Sequence, residues 1–341
     1  MRVWIFCILS AWMFGACNSN RKFSESLLKA TLQQADGNTG ELSSVLEHYE
    51  DDPQKREAAE FLITNMLDQV SLDSASVSNA QPYYDFLTEH VEKNGKYEDS
   101  RIYYYLCDSL QKVLPDSTKH IAEYYRTDAK FLSARFLIHI DDRFDVWRNA
   151  PWKDRIDFET FCNYILPYKS HYDYWDGSSA YFRGKYRDTL PGYADSSYVQ
   201  AGKYLNAIVQ NGFQQDGPFF YEFPFMLPTT ARNFTLSRLG TCIEANTVAI
   251  SALRSLGIPA ALNFIPYWGN LNAGHHWTEI VGEAQSERYD NRQLPSPENR
   301  KDIVNVLLHP MYNYLNNFYC RQSLPSATNN TLPSFHLQQS Y

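Results

Sequence analysis

The clearest hydrophobic pattern in the chain lies between residues 242 and 256. Apolar residues recur there every three or four positions, as on one face of an amphipathic helix: Ala245, Val248, Ala249, Ala252, Leu253 and Leu256. Gly257 suits the left-handed position that follows a helix, and Pro259 prevents its continuation. The pattern therefore predicts a helix from about Cys242 to Leu256.

Two strands are predicted after this helix. Residues 260–266 form a short apolar run, and residues 275–281 form a second run rich in aromatic and β-branched side chains. Because side chains alternate between the two faces of a strand, His275 shares a face with Trp277, and His276 lies on the opposite face. Only one of these adjacent histidines can face the start of the preceding helix, and the periodicity alone does not say which.

The first 150 residues are expected to be mainly helical. The run from Lys55 to Val70 places its apolar residues on one side and its charges elsewhere, and helical spacing recurs at 103–113 and 120–146. The Pro-Trp pair at 151–152 marks a plausible boundary.

The two ends of the chain have different compositions from the rest. A short basic start, an apolar stretch too short to span a membrane and the run Phe14-Gly15-Ala16-Cys17 predict a lipoprotein signal peptide over residues 1–17, with Cys17 as the lipidated residue. An ordinary signal peptide or a short N-terminal anchor is the alternative. At the other end, residues 301–341 have an atypical sequence that turns polar and loses its periodicity from 321, and we expect that end to be poorly ordered.

Residue types suited to nucleophilic catalysis follow one another in this part of the chain. Cys242 opens the predicted helix, the pair His275-His276 follows 33 residues later, and Asp290 lies 15 residues beyond His275. A thiol needs a base to become a thiolate, and an imidazole base needs an acceptor that fixes its tautomer. The partial positive charge and exposed N–H groups of a helix start favour a thiolate and can bind an oxyanion.

The same residues resemble the core of the transglutaminase-like superfamily. The family pattern is present as Gly240-Thr241-Cys242, then the Leu-Arg-x-x-Gly-Ile-Pro-Ala run at 253–260, then His-x-Trp-x-Glu at 275–279, then Asp290. More loosely, residues 158–168 and 58–66 resemble exported transglutaminase-domain lipoproteins of the Bacteroides type.

The resemblance implies a fold and a set of roles. The fold would be α+β: a helical N-terminal region at 18–150, then a papain-like domain at 151–300 whose cysteine helix packs on an antiparallel sheet. The family histidine stands two residues before the tryptophan, so the resemblance assigns Cys242 as nucleophile, His275 as base and Asp290 as the residue that orients the base. Family members continue past this Asp with strands that close the sheet, and the sequence after Asp290 departs from that pattern.

Two classes of function stay open from the sequence. The first is an exported thiol enzyme that cleaves or transfers amide or peptide bonds in a peptide, protein or peptidoglycan-type substrate. The second is a catalytically silent envelope lipoprotein that binds glycans or peptides in an aromatic cleft, for which 172–175 and 218–221 are candidate segments. A metal site at Cys242 and the two histidines is disfavoured because adjacent strand residues are poor co-ligands, and no cofactor is expected.

Composition narrows these classes further. The net charge of −8 argues against nucleic acid as the main partner, since phosphate binding needs a basic face.

With a lipidated Cys17, the protein would be exported and held on the bacterial envelope by its lipid. In that compartment Cys107 and Cys162 can form a disulfide, and the alternative is that both are buried core thiols.

Replacing the predicted lipidation residue tests the signal assignment. Cys17→Ser should abolish acylation and release the protein from the membrane fraction, because the thiol is the lipid acceptor. Metabolic labelling with a fatty-acid analogue, followed by fractionation, measures both effects. Unlipidated wild-type protein in the soluble fraction would overturn the assignment.

Overall fold

The structure is a computed structural model of the 341-residue chain. It describes residues 25–95, 108–109, 112, 125–171, 174–190, 197–213, 229–265, 275–282, 286–289, 304–307 and 337–339. For 264–265, 275, 286–289, 304–307 and 337–339 it describes the backbone only. Cys17 and Asp290, two of the residues singled out in the sequence, lie outside the described residues.

The described elements are mainly helices. Residues 25–34 are helical, and they are followed by α1 (Thr39–His48), α2 (Pro53–Thr64), α3 (Ser74–Asn94), α4 (Asp128–Phe131), α5 (Arg135–Asn149), α6 (Phe158–Tyr164), α7 (Ser179–Tyr186), α8 (Tyr198–Asn211), α9 (Ala231–Ser237) and α10 (Cys242–Ser255). Short 3-10 helices lie at Asp36–Asn38, Lys153–Arg155 and Arg187–Thr189. The strands are β1 (Val70–Leu72), β2 (Tyr125–Thr127), β3 (Ala260–Ile265), β4 (His275–Val281), β5 (Ser286–Tyr289), β6 (Val304–Leu307) and β7 (Leu337–Gln339).

The chain divides into two compact units. One comprises residues 1–69 and 127–140, and the other comprises 70–126 and 141–341. In the first unit, Asn38 ties the 3-10 helix before α1 to α4, because its amide donates to the carbonyls of Ala129 and Leu132 at 2.9 and 2.7 Å. This division does not coincide with the domain boundary expected near residue 150, which stays a prediction.

Two of the expected helices are shorter than their patterns suggested. The helix expected over 55–70 ends at Thr64, and Val70 begins strand β1. The run at 120–146 is likewise interrupted, because strand β2 and the short α4 precede α5. In both places the apolar spacing continues into a strand or a second helix, and a periodic pattern alone does not mark such a break.

Helix α10 matches its prediction almost residue for residue. It runs from Cys242 to Ser255, and its apolar stripe is buried from Ala245 to Leu253. Gly257 has φ +73°, the left-handed conformation expected just after a helix. Its carbonyl accepts a 2.7 Å hydrogen bond from the indole of Trp152, which fixes the end of the helix.

The larger sheet has five strands in the order β5-β4-β3-β6-β7. β3 and β4 are antiparallel neighbours in a register that pairs Ala260 with Ile280 and Ile265 with His275. β5 pairs with β4, and β6 pairs with β3, both antiparallel. Two segments of the atypical C-terminal region, β6 and β7, are therefore strands of this sheet; the remainder of 301–341 lies outside the described residues.

Arg254 joins α10 to two other segments of the second unit. Its side chain is 2% exposed, and its guanidinium donates to the carbonyls of Ala260, Pro167 and Lys169 at distances between 2.7 and 3.3 Å. One planar group thus fixes the start of β3 and the segment after α6 against the cysteine helix. Among the described residues, no helix has the length and apolar character needed to cross a membrane.

Replacing Arg254 with lysine should destabilise this unit. A lysine ammonium cannot reach three separated carbonyls at once, so Arg254→Lys should lower the free energy of unfolding by about 2–4 kcal/mol, given about 1–3 kcal/mol for each buried group left without a partner. Denaturant unfolding measures the change, with Arg187→Lys at an exposed position as the matched control. Equal unfolding midpoints for the two variants would contradict this role.

Candidate functional site

Thr241 and Glu244 fix the start of the cysteine helix. Thr241 is the N-cap residue, and its hydroxyl accepts from the backbone of Ile243 at 3.2 Å. The carboxylate of Glu244 accepts from the backbone N–H of Thr241 at 2.7 Å and also from its hydroxyl, which completes a capping box. Gly240 permits this geometry, because a Cβ there would lie 2.7 Å from the Cβ of Glu244.

Cys242 consequently occupies the first position of α10. Its thiol is half-buried. The first N–H groups of a helix have no acceptor within the helix, and they provide partial positive charge next to the sulfur. The capping carboxylate of Glu244 lies in the same turn, and its pKa is raised by burial. Where Glu244 is ionised, its negative charge offsets part of the positive potential at the helix start. More of the stabilisation of a thiolate must then come from a nearby imidazolium.

The imidazole described beside the thiol belongs to His276. The Sγ atom of Cys242 and the Nδ1 atom of His276 are 4.0 Å apart. This is longer than a tight hydrogen bond, and nucleophile–base pairs commonly tighten from such distances when a substrate binds. His276 is only 7% exposed, so its imidazole is largely desolvated, whereas the thiol is half-buried.

Strand alternation explains why His276 has this position. Thr278 lies two residues along the same face of β4 and donates to Asn246 of α10 at 2.8 Å. Ile280, next on that face, packs against α8, since a Cβ added at Gly202 would lie 2.9 Å from its Cδ1. The His276 face of β4 therefore faces the helices, whereas the assignment by resemblance required the thiol to face His275. The side chain of His275 is outside the described residues, so its role as base stays a prediction.

The opposite face of β4 carries structural residues. Trp277 is buried, and Glu279 accepts a hydrogen bond from the amide of Asn263 on β3. The phenol of Tyr164 is close enough that its pKa is raised, first by burial and then by the charges of Glu279 and Glu159. Glu279 is thus a structural partner of the neighbouring strand.

Asn246 joins the thiol turn to the histidine strand. Its amide nitrogen donates to the carbonyl of Cys242 at 2.6 Å and to the carbonyl of His276 at 2.9 Å. Its amide oxygen accepts from Thr278 at 2.8 Å and from Gln210 of α8 at 2.9 Å. Both donors and both acceptor positions of the side chain are used, and the residue is 4% exposed.

Sequence reasoning missed Asn246. The residue lies one helical turn after Cys242, which puts its side chain on the same side of α10 as the thiol. A polar side chain on the apolar stripe of a predicted helix is a signal for a buried hydrogen-bonding role, because an unpaired amide there is costly.

The remaining cysteines and candidate metal ligands add little to the site. Cys162 is buried on α6, while Cys107 and Cys320 lie outside the described residues, so the proposed Cys107–Cys162 disulfide stays untested. Within the described part of the chain, no cluster of three or more His, Cys, Asp or Glu side chains could hold a metal ion.

A separate polar groove lies between α3 and α9. Its volume is about 480 Å³, and its described lining has four acidic side chains and no aromatic one: Gln81, Asp85, Thr88, Glu89, Glu92, Asp176, Thr230, Arg232, Asn233 and Leu236. Of the aromatic segments considered for a binding cleft, 218–221 and residues 172–173 lie outside the described residues.

Comparison with protein families identifies the domain that holds this site. Residues 194–289 match the transglutaminase-like superfamily, and these residues form a transglutaminase-like domain. Comparisons with curated proteins and with solved structures gave no match. The domain contains Cys242, His275 and His276, and its match ends one residue before Asp290. With its helices and small antiparallel sheets, the protein is of the α+β class, as expected.

Substitutions of two buried asparagines, Asn246 and Asn206, test the role assigned to Asn246. Asn246→Leu should lower the free energy of unfolding by about 2–4 kcal/mol, because each buried partner left unpaired costs about 1–3 kcal/mol. It should also slow alkylation of Cys242. The control is Asn206→Leu on α8: this residue is 0% exposed, and its side-chain amide makes no hydrogen bond within the described part of the chain.

Asn206→Leu should leave stability unchanged or raise it, because it removes a buried amide that has no such bond. Thermal unfolding of both variants measures the contrast. A similar loss in the two variants would mean that Asn246 acts only as a space-filling core residue.

Proposed function

We propose that the protein is a thiol-dependent enzyme that acts on amide or peptide bonds, with Cys242 as its nucleophile. The observation that supports this most directly is the 4.0 Å approach of the His276 imidazole to a thiol at the first position of a capped helix. The transglutaminase-like domain around it supports the same class of chemistry.

The reaction would proceed in two stages. A histidine takes the thiol proton, and the thiolate sulfur attacks the carbonyl carbon of the substrate amide. The oxyanion that forms lies next to N–H groups at the start of α10. The imidazolium then gives its proton to the leaving nitrogen, the C–N bond breaks, and a thioester on Cys242 remains.

The second stage releases the acyl group. Water, or an amine for a transfer reaction, loses a proton to the same imidazole and attacks the thioester carbonyl. The C–S bond breaks, and the sulfur leaves as a thiolate that recovers its proton from the imidazolium. The order of events is thus the same for hydrolysis and transfer, and the acceptor decides which one occurs.

The base is one member of the pair His275-His276. The resemblance assigns this role to His275, whereas the described contact with Cys242 is made by His276. Asp290 is kept as the proposed residue that orients the base, since a carboxylate acceptor would fix the imidazole tautomer. Single substitutions of the two histidines distinguish the assignments.

The proposed location is the bacterial cell envelope. A lipid on Cys17 would hold the enzyme at a membrane surface, with peptides, proteins or peptidoglycan-type amides as its substrates. This part of the proposal is supported by the N-terminal sequence alone.

The reactivity of Cys242 tests the proposal. An ordinary thiol, with a pKa of about 8.5, is ionised in roughly one molecule in 300 at pH 6. Iodoacetamide should therefore alkylate an activated Cys242 at pH 6 at least about tenfold faster than an ordinary thiol, allowing for the lower nucleophilicity of an acidic thiol. Peptide mass spectrometry measures the labelling of each cysteine separately, and glutathione in the same solution gives the rate of an ordinary thiol. The buried Cys162 should stay unlabelled as long as the protein is folded.

The histidine variants complete this experiment. Loss of fast labelling in His276→Ala alone would identify His276, which contacts the thiol, as the base. Loss in His275→Ala alone would identify His275, the histidine given by the resemblance. If labelling in the wild type rises only near pH 8.5 and neither variant changes it, the thiol is not activated. The enzyme proposal then fails, and thiol-independent glycan or peptide binding becomes the function to measure.

A further inference from the structure

A second imidazole contacts the ring of His276. The rings of His171 and His276 have their centroids 6.3 Å apart with an interplanar angle of 79°, an edge-to-face arrangement. His171 belongs neither to the residues singled out in the sequence nor to the transglutaminase-like match, which begins at residue 194. The chain therefore brings this ring to the site from a separate segment.

Three hydrogen bonds fix the segment that carries His171. Arg254 of α10 donates to the carbonyl of Lys169 at 2.7 Å, and the hydroxyl of Ser170 donates to Thr247, also on α10, at 3.4 Å. The ammonium of Lys169 donates to the carbonyl of Val70 at 2.9 Å. The residues just before His171 are thus held against the helix that carries the thiol.

The charge state of His171 suits a role beside a reacting imidazole. Burial lowers its pKa to about 4, and the positive charge of Lys169 adds to this effect. His171 is consequently neutral at physiological pH and does not compete with His276 for the proton of the thiol. A neutral aromatic ring in edge-to-face contact restricts the orientation of its neighbour without adding a charge.

We propose that His171 is a positioning residue of the thiol site, whose ring holds the imidazole of His276 with Nδ1 directed at the sulfur of Cys242. The His171 ring restrains the orientation of the His276 ring, and it excludes water from one side of that ring. The inference rests on the proposed function in one respect, since it takes the Cys242–His276 contact as the reacting pair.

Two substitutions at position 171 test this role in the full chain. His171→Ala removes the ring and should slow alkylation of Cys242 near pH 6 by about tenfold, because a freely turning imidazole stabilises the thiolate less well. His171→Phe keeps a flat ring of similar size and should stay within about twofold of wild type, since the edge-to-face contact needs no titratable group. His139→Ala, at a buried histidine outside the site, is the control and should leave labelling unchanged.

The titration of the His276 imidazole is also measured directly, by NMR in a Cys242→Ala background. His171→Ala should move the midpoint of the His276 titration by about half a pH unit or more, and His171→Phe should move it less. This measurement does not need an activated thiol, so it separates failure of the inference from failure of the proposed function. A folded His171→Ala protein with an unchanged His276 titration would overturn the inference, whatever the reactivity of Cys242.

Discussion

The site depends on one buried side chain, Asn246, which makes four hydrogen bonds to three separate elements. It bonds the first turn of the cysteine helix, two residues of strand β4 and the end of helix α8. A side-chain amide has two N–H donors and an oxygen that accepts two hydrogen bonds. One residue can therefore fix both the backbone that carries the thiol and the backbone that carries the imidazole.

The electrostatic setting follows from this arrangement. The helix start places a partial positive charge next to the sulfur, and the carboxyl group of Glu244 in the same turn offsets part of it when ionised. The imidazole of His276 is held within 4.0 Å, and the neutral ring of His171 lies against it. Arg254 fixes the segment of His171 to the same helix. Residues from three distant parts of the sequence thus determine the environment of one thiol.

The sequence predicted the local elements of the site better than their contacts. The limits of α10 were predictable because its stripe, its cap and Gly257 all lie within sixteen residues of one another. Strands β3 and β4 were predictable from short apolar and alternating runs. The end of α2 was not, since the spacing of its apolar residues continues past Thr64 into β1. The positions of Asn246 and His171 depend on contacts between distant segments, which periodicity does not encode. The choice between two adjacent histidines depends on which face of β4 packs on the helices, and motif spacing alone does not decide it.

The most direct test of this account is the ultraviolet absorbance of the thiolate, measured as a function of pH as the difference between wild type and Cys242→Ala. If Cys242 and an adjacent histidine form a reacting pair, a thiolate signal is present near pH 6 and disappears in the variant that lacks the correct histidine. A thiolate signal that appears only around pH 8.5, the range of an ordinary thiol, and is the same in both histidine variants would contradict the account.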